Sequence, residues 1–251
     1  AIADFVQEFP PHASNFERLL EENDRFKECV ALVNSKLALV TKEHMGLDGP
    51  FPERYVKSDS KYFAFCSDIS CDRDFHASLF CVPKGCSLPL HNHPNMLVFG
   101  KVLRGKLRVS SFNVKDDIST ALKPGTKVAA EFVTPTTLCC EGDLMFVSPG
   151  VRNVHKVEAE EDAVLFDIIL PPYEMGSEYS CTYFDDGALP TSDTVSKHAI
   201  DSDRKIEERV EKCELTVIDE PGSFRTEPYP YTGPVLLSNA KRTNGAAHAG
   251  R

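Results

Sequence analysis

The sequence predicts a mainly β protein, an antiparallel barrel or sandwich with a helical segment at its N-terminus. Short β-prone runs separated by turn residues fill residues 62–170, with no helical pattern between them. Helical spacing is confined to about residues 14–45. Seventeen Pro, 14 Gly and no Trp mark a turn-rich chain, which agrees with both.

In chain order, the first dozen residues carry few signals. Ser14-Asn15-Phe16-Glu17 has the S-x-x-E form of a capping box, so a helix is expected to start there. Phe16, Leu19, Leu20, Phe26, Val30, Val33 and Leu37 then recur at roughly helical spacing, giving one or two helices that present an apolar stripe. Gly46, Gly49, Pro50 and Pro52 end this segment. Strands are expected at Ser78–Val82, Met96–Leu103, Leu107–Asn113, Lys127–Thr134, Leu144–Val147, Asn153–Val157 and Ala163–Leu170. Arg104-Gly105 reads as a hairpin turn, and Gly142-Asp143 and Pro149-Gly150 punctuate later runs. Residues 187–212 are polar and read as a surface insertion, with strand pattern resuming only at Leu215-Thr216-Val217-Ile218.

Length alone, 251 residues, allows one large domain or two small ones. Motif order favours one: a helical extension over residues 1–55 packed on a barrel over 56–238, with a flexible tail at 239–251. No apolar run reaches the roughly 20 residues of a membrane span, and no secretory leader pattern opens the chain, so no membrane partner is expected. A formal charge of −10 argues against phosphate neutralisation and hence against nucleic acid as a partner. It suits a basic substrate segment better than an acidic one. Nine cysteines cannot all pair internally and show no zinc-finger spacing, so they are expected to be mostly free thiols in a reducing compartment. The expected location is therefore the cytoplasm, with the nucleus allowed, and the expected state is a monomer.

The chemistry concentrates at Leu88-Pro89-Leu90-His91-Asn92-His93-Pro94. Side chains two apart in a strand share a face, so His91 and His93 can aim both imidazoles at one point inside a barrel. His155, in the run after Pro149-Gly150, supplies a third. Three neutral imidazoles can hold a first-row divalent metal and leave positions open for substrate. His12, His44, His76, His198 and His248 lie in flanks, strand edges or the polar insertion and are read as solvated or structural.

The spacing of Gly85, His91, His93 and Gly105, followed by Gly142, Pro149-Gly150 and His155, resembles the two signature motifs of the cupin superfamily, whose fold is a double-stranded β-helix barrel with its metal inside. Leu97 or Val98 stands where many cupins carry a glutamate ligand, and such a three-histidine site resembles the thiol dioxygenases. Longer segments sharpen this. Phe80–Gly85, Leu88–Met96, Val98–Gly105, Asn153–Val157, Asp167-Ile168-Ile169-Leu170-Pro171-Pro172-Tyr173, Cys181-Thr182-Tyr183-Phe184 and Tyr231-Thr232-Gly233-Pro234 are similar, in order, to the cysteamine dioxygenase and plant cysteine oxidase family.

That resemblance implies Fe(II) held by His91, His93 and His155. It implies dioxygen as co-substrate and a thiol with a neighbouring free amine as substrate: cysteamine or the N-terminal cysteine of a peptide or protein. The product is a sulfinic acid, the thiol supplies all four electrons, and oxidation of an N-terminal cysteine would link protein stability to oxygen through an N-degron pathway. No G-x-G-x-x-G follows a strand, in keeping with chemistry that needs no nicotinamide or flavin. Asp167 sits in an apolar run where an unpaired carboxylate is costly, and is expected to meet the substrate amine or a metal-bound group; a structural partner is the alternative. Cys181 and Tyr183, spaced i, i+2, can approach one another, and the resemblance allows a thioether crosslink there; a buried Cys beside a packed Tyr is the other reading. Two rival functions stay open: a different metallocupin enzyme, such as an isomerase or a carbon-oxidising dioxygenase, and a non-enzymatic metal-binding cupin.

Overall fold

A computed structural model describes residues 1–52, 60–115, 122–187, 209–229 and 231–233, and the backbone of 195–197. Three helices come first: α1 (Ile2–Glu8), α2 (Phe16–Glu22) and α3 (Asp24–Ala38), with a short 3-10 turn at Pro11–Ala13. Ile2, Phe5, Val6 and Phe9 form the helical set that defines α1, a signal the sequence reading passes over because it covers barely two turns. The cap of α2 is Asn15, whose side chain accepts the Arg18 N–H at 2.9 Å, one residue later than the S-x-x-E pattern suggests. Ser14 is extended, and Asn is as good a cap as Ser. Asn23 caps α3 in the same way through Phe26 N–H. Phe26, Cys29, Val30, Val33 and Leu37 line its buried face.

Thirteen strands follow among the described residues: β1 (Phe63–Cys71), β2 (His76–Val82), β3 (Ser87–Asn92), β4 (Leu97–Arg104), β5 (Lys106–Asn113), β6 (Lys127–Cys140), β7 (Leu144–Val147), β8 (Val154–Ala159), β9 (Ala163–Leu170), β10 (Tyr183–Phe184), β11 (Val195–Lys197), β12 (Arg209–Ile218) and β13 (Arg225–Pro228). They form a six-stranded sheet, β13-β1-β2-β9-β4-β7, and a seven-stranded sheet, β11-β6-β12-β10-β3-β8-β5, with β5 also pairing back onto β6. The chain thus folds as the mainly β barrel with an N-terminal helical segment that the sequence predicts. Phe63, Phe65, Leu97, Leu107, Val109, Val157 and Leu170 from both sheets join one apolar core. The helices pack on the outside of β4, where Phe5 meets Phe99 edge-on at 6.2 Å between ring centroids.

Two strands run longer than the pattern suggests. β6 continues past Pro135 to Cys140; a proline cannot donate to the ladder, and the β5–β6 register accordingly shifts between Val109 and Ser111. β12 begins at Arg209, six residues before the apolar run, because its polar half lies along β6 with mostly exposed side chains. That half belongs to the stretch read as a polar insertion. Most of the remainder of that stretch, residues 188–194 and 198–208, and the tail at 239–251 lie outside the described residues. Among the described residues no helix is long and apolar enough to cross a membrane. All nine cysteines are free thiols.

Candidate metal centre

β3 and β8 are antiparallel neighbours, and their register sets His91 directly opposite His155. β3 stops at Asn92, so His93 stands one step past the strand, where its N–H donates to the Asn153 carbonyl at 2.7 Å. The Asn153 side chain in turn pairs with both backbone groups of Val114, at 2.9 and 2.8 Å. This stitching fixes the entry to β8 against the end of β5. The three imidazoles converge: their ligand atoms lie within 4.8 Å of one another, and the rings are 4.8 to 4.9 Å apart.

Hydrogen bonds settle which nitrogens face the centre. His91 Nδ1–H donates to the Pro89 carbonyl at 2.7 Å, leaving Nε2 as a lone pair. Tyr173 donates its hydroxyl proton to the Asn92 carbonyl at 2.6 Å and lies 2.8 Å from His93 Nδ1. A phenol has one proton, so His93 Nδ1–H must donate to Tyr173 and His93 Nε2 is again a lone pair. That lone pair accepts from His155 Nε2–H at 3.2 Å, a proton whose place a bound cation would take. Burial holds all three rings neutral, lowering the His91 pKa and pushing His93 and His155 well below the usual range, with the neighbouring rings adding to the effect on the latter two. Neutral imidazoles converging on one point are the state from which such rings bind a cation, with the release of any proton left between them. His93 and His155 are only 2% and 5% exposed.

Asp167 lies on β9, 8% exposed, opposite Gly100 of β4. A Cβ at Gly100 would come within 2.6 Å of Asp167 Oδ1, so glycine is what makes room for the carboxylate. Among the described residues no hydrogen-bond donor is paired with it, and burial raises its pKa to about 7. The Asp167 charge also helps keep the Tyr173 phenol protonated, although burial is the larger cause, which places the carboxylate near the residue that holds His93. Tyr183 pairs across β10 with His91, and Cys181, though outside that strand, is brought to it: its thiol is within hydrogen-bonding reach of both Tyr183 and Tyr173. Burial pushes the Cys181 thiol up to about 12. The six singled-out residues therefore gather in one region.

Tyr173 and Asn153 are the additions that sequence reasoning misses. Tyr173 was legible only as the last letter of the Pro-Pro-Tyr motif, and Asn153 only as a neighbour of His155. Arg104 and Arg108, which flank the hairpin turn, are engaged elsewhere: Arg104 donates to the Gly49 carbonyl and covers Phe51, and Arg108 pairs with Glu160.

His155 also walls a cavity of about 370 Å³ that Val109, Ser111, Thr137, Cys139 and Arg152 help to line. Residues 33–236 match the PCO_ADO family model. The chain belongs to the PCO_ADO family. Among curated relatives, plant cysteine oxidase 2 of Arabidopsis thaliana is 32% identical over 135 residues, covering 52% of this chain and 47% of that protein. A probable 2-aminoethanethiol dioxygenase of Dictyostelium discoideum is 30% identical over 44% of this chain and 50% of its own length. The human 2-aminoethanethiol dioxygenase is 26% identical over 65% and 64%. The chain spans about half the length of the first of these relatives.

Proposed function

We propose that the protein is an Fe(II)-dependent thiol dioxygenase acting on a thiol with a neighbouring free amine, cysteamine or an N-terminal cysteine. The observation that carries this reading is the convergence of three neutral imidazoles, two of them buried and one, His155, in a cavity wall, with a buried carboxylate nearby, in a member of the PCO_ADO family. The cluster holds no carboxylate, which weighs against the rival metallocupin enzymes, and membership of the PCO_ADO family weighs against a non-enzymatic metal binder.

The donor set fits iron: His91, His93 and His155 would hold it, His91 and His93 through a bare Nε2 and His155 through the nitrogen whose proton the metal would displace. When bound, the metal supplies the one-electron chemistry that ground-state dioxygen needs to react with a thiolate. The chain does the rest. Asp167, ionised above about pH 7, pairs with the substrate amine and orients the thiol toward the histidines. Tyr173 keeps His93 in the tautomer that presents Nε2. Tyr183 and Cys181 close the side of the site beside His91 and Tyr173. In the overall reaction sulfur forms two S–O bonds and loses four electrons, both oxygen atoms of dioxygen are consumed, and a sulfinic acid results.

The test is direct. The Fe(II)-loaded chain, incubated under oxygen with cysteamine and with a Cys-initiated peptide, should add the mass of two oxygen atoms to one or both. An absence of gain with either in iron-replete protein, or an equal gain after His91→Ala and His155→Ala, overturns the assignment.

A further inference from the structure

β7 closes one side of the six-stranded sheet: it pairs with β4, and among the described residues no strand pairs with its other edge. The register tells which of its backbone groups are left over. Val102 N–H donates to the Asp143 carbonyl at 3.0 Å, just before β7 begins, so Val102 and Asp143 form a hydrogen-bonded pair. Such pairs alternate with non-bonded ones along an antiparallel ladder, which makes Gly100–Met145 and Val98–Val147 hydrogen-bonded as well. The N–H and C=O groups of Leu144 and Phe146 therefore point away from β4. Among the described residues no backbone group outside the ladder bonds to them.

This open edge borders the cavity that His155 reaches. Every residue of β7 lines it, together with residues of β5 and β6. The two ends of the strand differ. Val147 belongs to the apolar cluster against which Tyr173, the residue that holds His93, is packed, whereas Leu144 lies opposite Lys101. Met145 marks the face of β7 turned to Asp167, since its Cβ and the carboxylate both crowd the place where a Cβ at Gly100 would stand. Cysteamine has no peptide groups to offer such an edge and would fill little of a cavity of about 370 Å³. We propose that the cavity holds the first residues of a peptide with an N-terminal cysteine as an added strand, antiparallel to β7, whose main chain bonds to Leu144 and Phe146. This rests on the thiol dioxygenase reading above and deepens it by naming the peptide as the substrate class. The cysteine lies at the Val147 end beside the histidines, its amine on the Asp167 side, and the chain leaves past Leu144. Extended backbone rises ~3.3 Å per residue, so the edge takes about four residues. Strand addition draws affinity from main-chain bonds, and here it draws them from alternate residues of the peptide.

The test uses the amidated peptide Cys-Ala-Val-Ala, its two analogues N-methylated at the second or at the third residue, and cysteamine. Binding to the Fe(II)-loaded chain is read by calorimetry without oxygen, and kcat/KM with oxygen. The parent peptide should bind at least about tenfold more tightly than cysteamine. One methylated analogue, the one whose N–H faces β7, should lose about tenfold in Kd, and the other should stay within about threefold, because only alternate residues point at the edge. On the protein side, Leu144→Pro removes an outward N–H at the first position of an edge strand, where proline is tolerated, and should weaken the parent peptide by about tenfold. Leu144→Ala keeps that N–H and should stay within about threefold, which separates the lost donor from the lost side chain. Parent and both methylated peptides within about twofold of one another, or Leu144→Pro binding the parent as tightly as Leu144→Ala does, overturns the inference. Because binding is read without turnover, a peptide that binds with this pattern and is not oxidised counts instead against the activity proposed above.

Discussion

Asp167 and Lys101 belong to neighbouring rungs of the β4–β9 ladder, where Gly100 faces Asp167 and Lys101 faces Phe166. Both are buried, at 8% and 5% exposure, yet their surroundings are opposite. Lys101 points away from the barrel interior and donates to the carbonyl of Ala38 at 2.5 Å, the last residue of α3, where the helix dipole favours a cation. Asp167 points inward to a place with no donor among the described residues, and burial shifts its ionisation to about pH 7. One buried charge fastens a helix. The other is left unsatisfied by the fold, which is the condition under which a buried group is available to a ligand.

Removing metal ligands gives the largest expected effect, because it destroys what the inner face serves. His93→Ala or His155→Ala should lower metal content by at least 100-fold, measured by elemental analysis, and abolish turnover with it. Asp167→Asn comes next and should split the two readouts: turnover falls by about 100-fold while metal content stays near wild type. Stability should move the other way. The folded pKa of Asp167, about 7, lies above the ordinary 3.8, so the folded chain binds this proton more tightly than the unfolded chain does. The resulting penalty is absent below the lower value, grows as pH rises between the two and is complete above about 7. Metal-free Asp167→Asn should therefore be more stable than wild type at pH 8, by on the order of 3 kcal/mol, and no more stable at pH 3. Calorimetric melts at both pH values check this. In the intact enzyme kcat/KM should rise as pH climbs through about 7, and the Asn variant should lose that limb.

Lys101→Met should show the converse, a Tm lower by several degrees, corresponding to about 1–2 kcal/mol, with turnover per folded molecule unchanged. Tyr173→Phe is the smallest and most local change. It removes the hydroxyl that holds His93 Nδ1, and should weaken metal binding by about tenfold in a chelator competition while leaving the melting temperature within a few degrees. If Asp167→Asn fails to stabilise the metal-free chain, or Lys101→Met impairs turnover as strongly as folding, the contrast between the two faces is wrong.

Much of the site was legible because its signals are local. His91 and His93 sit two apart and Asp167 lies in an apolar run, so the sequence itself exposes the geometry or the cost. The strand boundaries were less so. β6 crosses a proline, and the polar half of β12 has no burial pattern to read, since a strand that pairs β6 with one solvated face needs only backbone hydrogen bonds. Tyr173 was hidden for another reason. Its role depends on reaching His93 from 80 residues away, which leaves no periodic trace.

Gly100 turns this geometry into a statement about descent. Any side chain there would displace the Asp167 carboxylate, so the two positions form one inherited unit: a lineage that gains a Cβ at position 100 has to give up or relocate the acid at position 167. Related sequences that keep the three histidines but break this pair would then be expected to have changed their chemistry while retaining the metal.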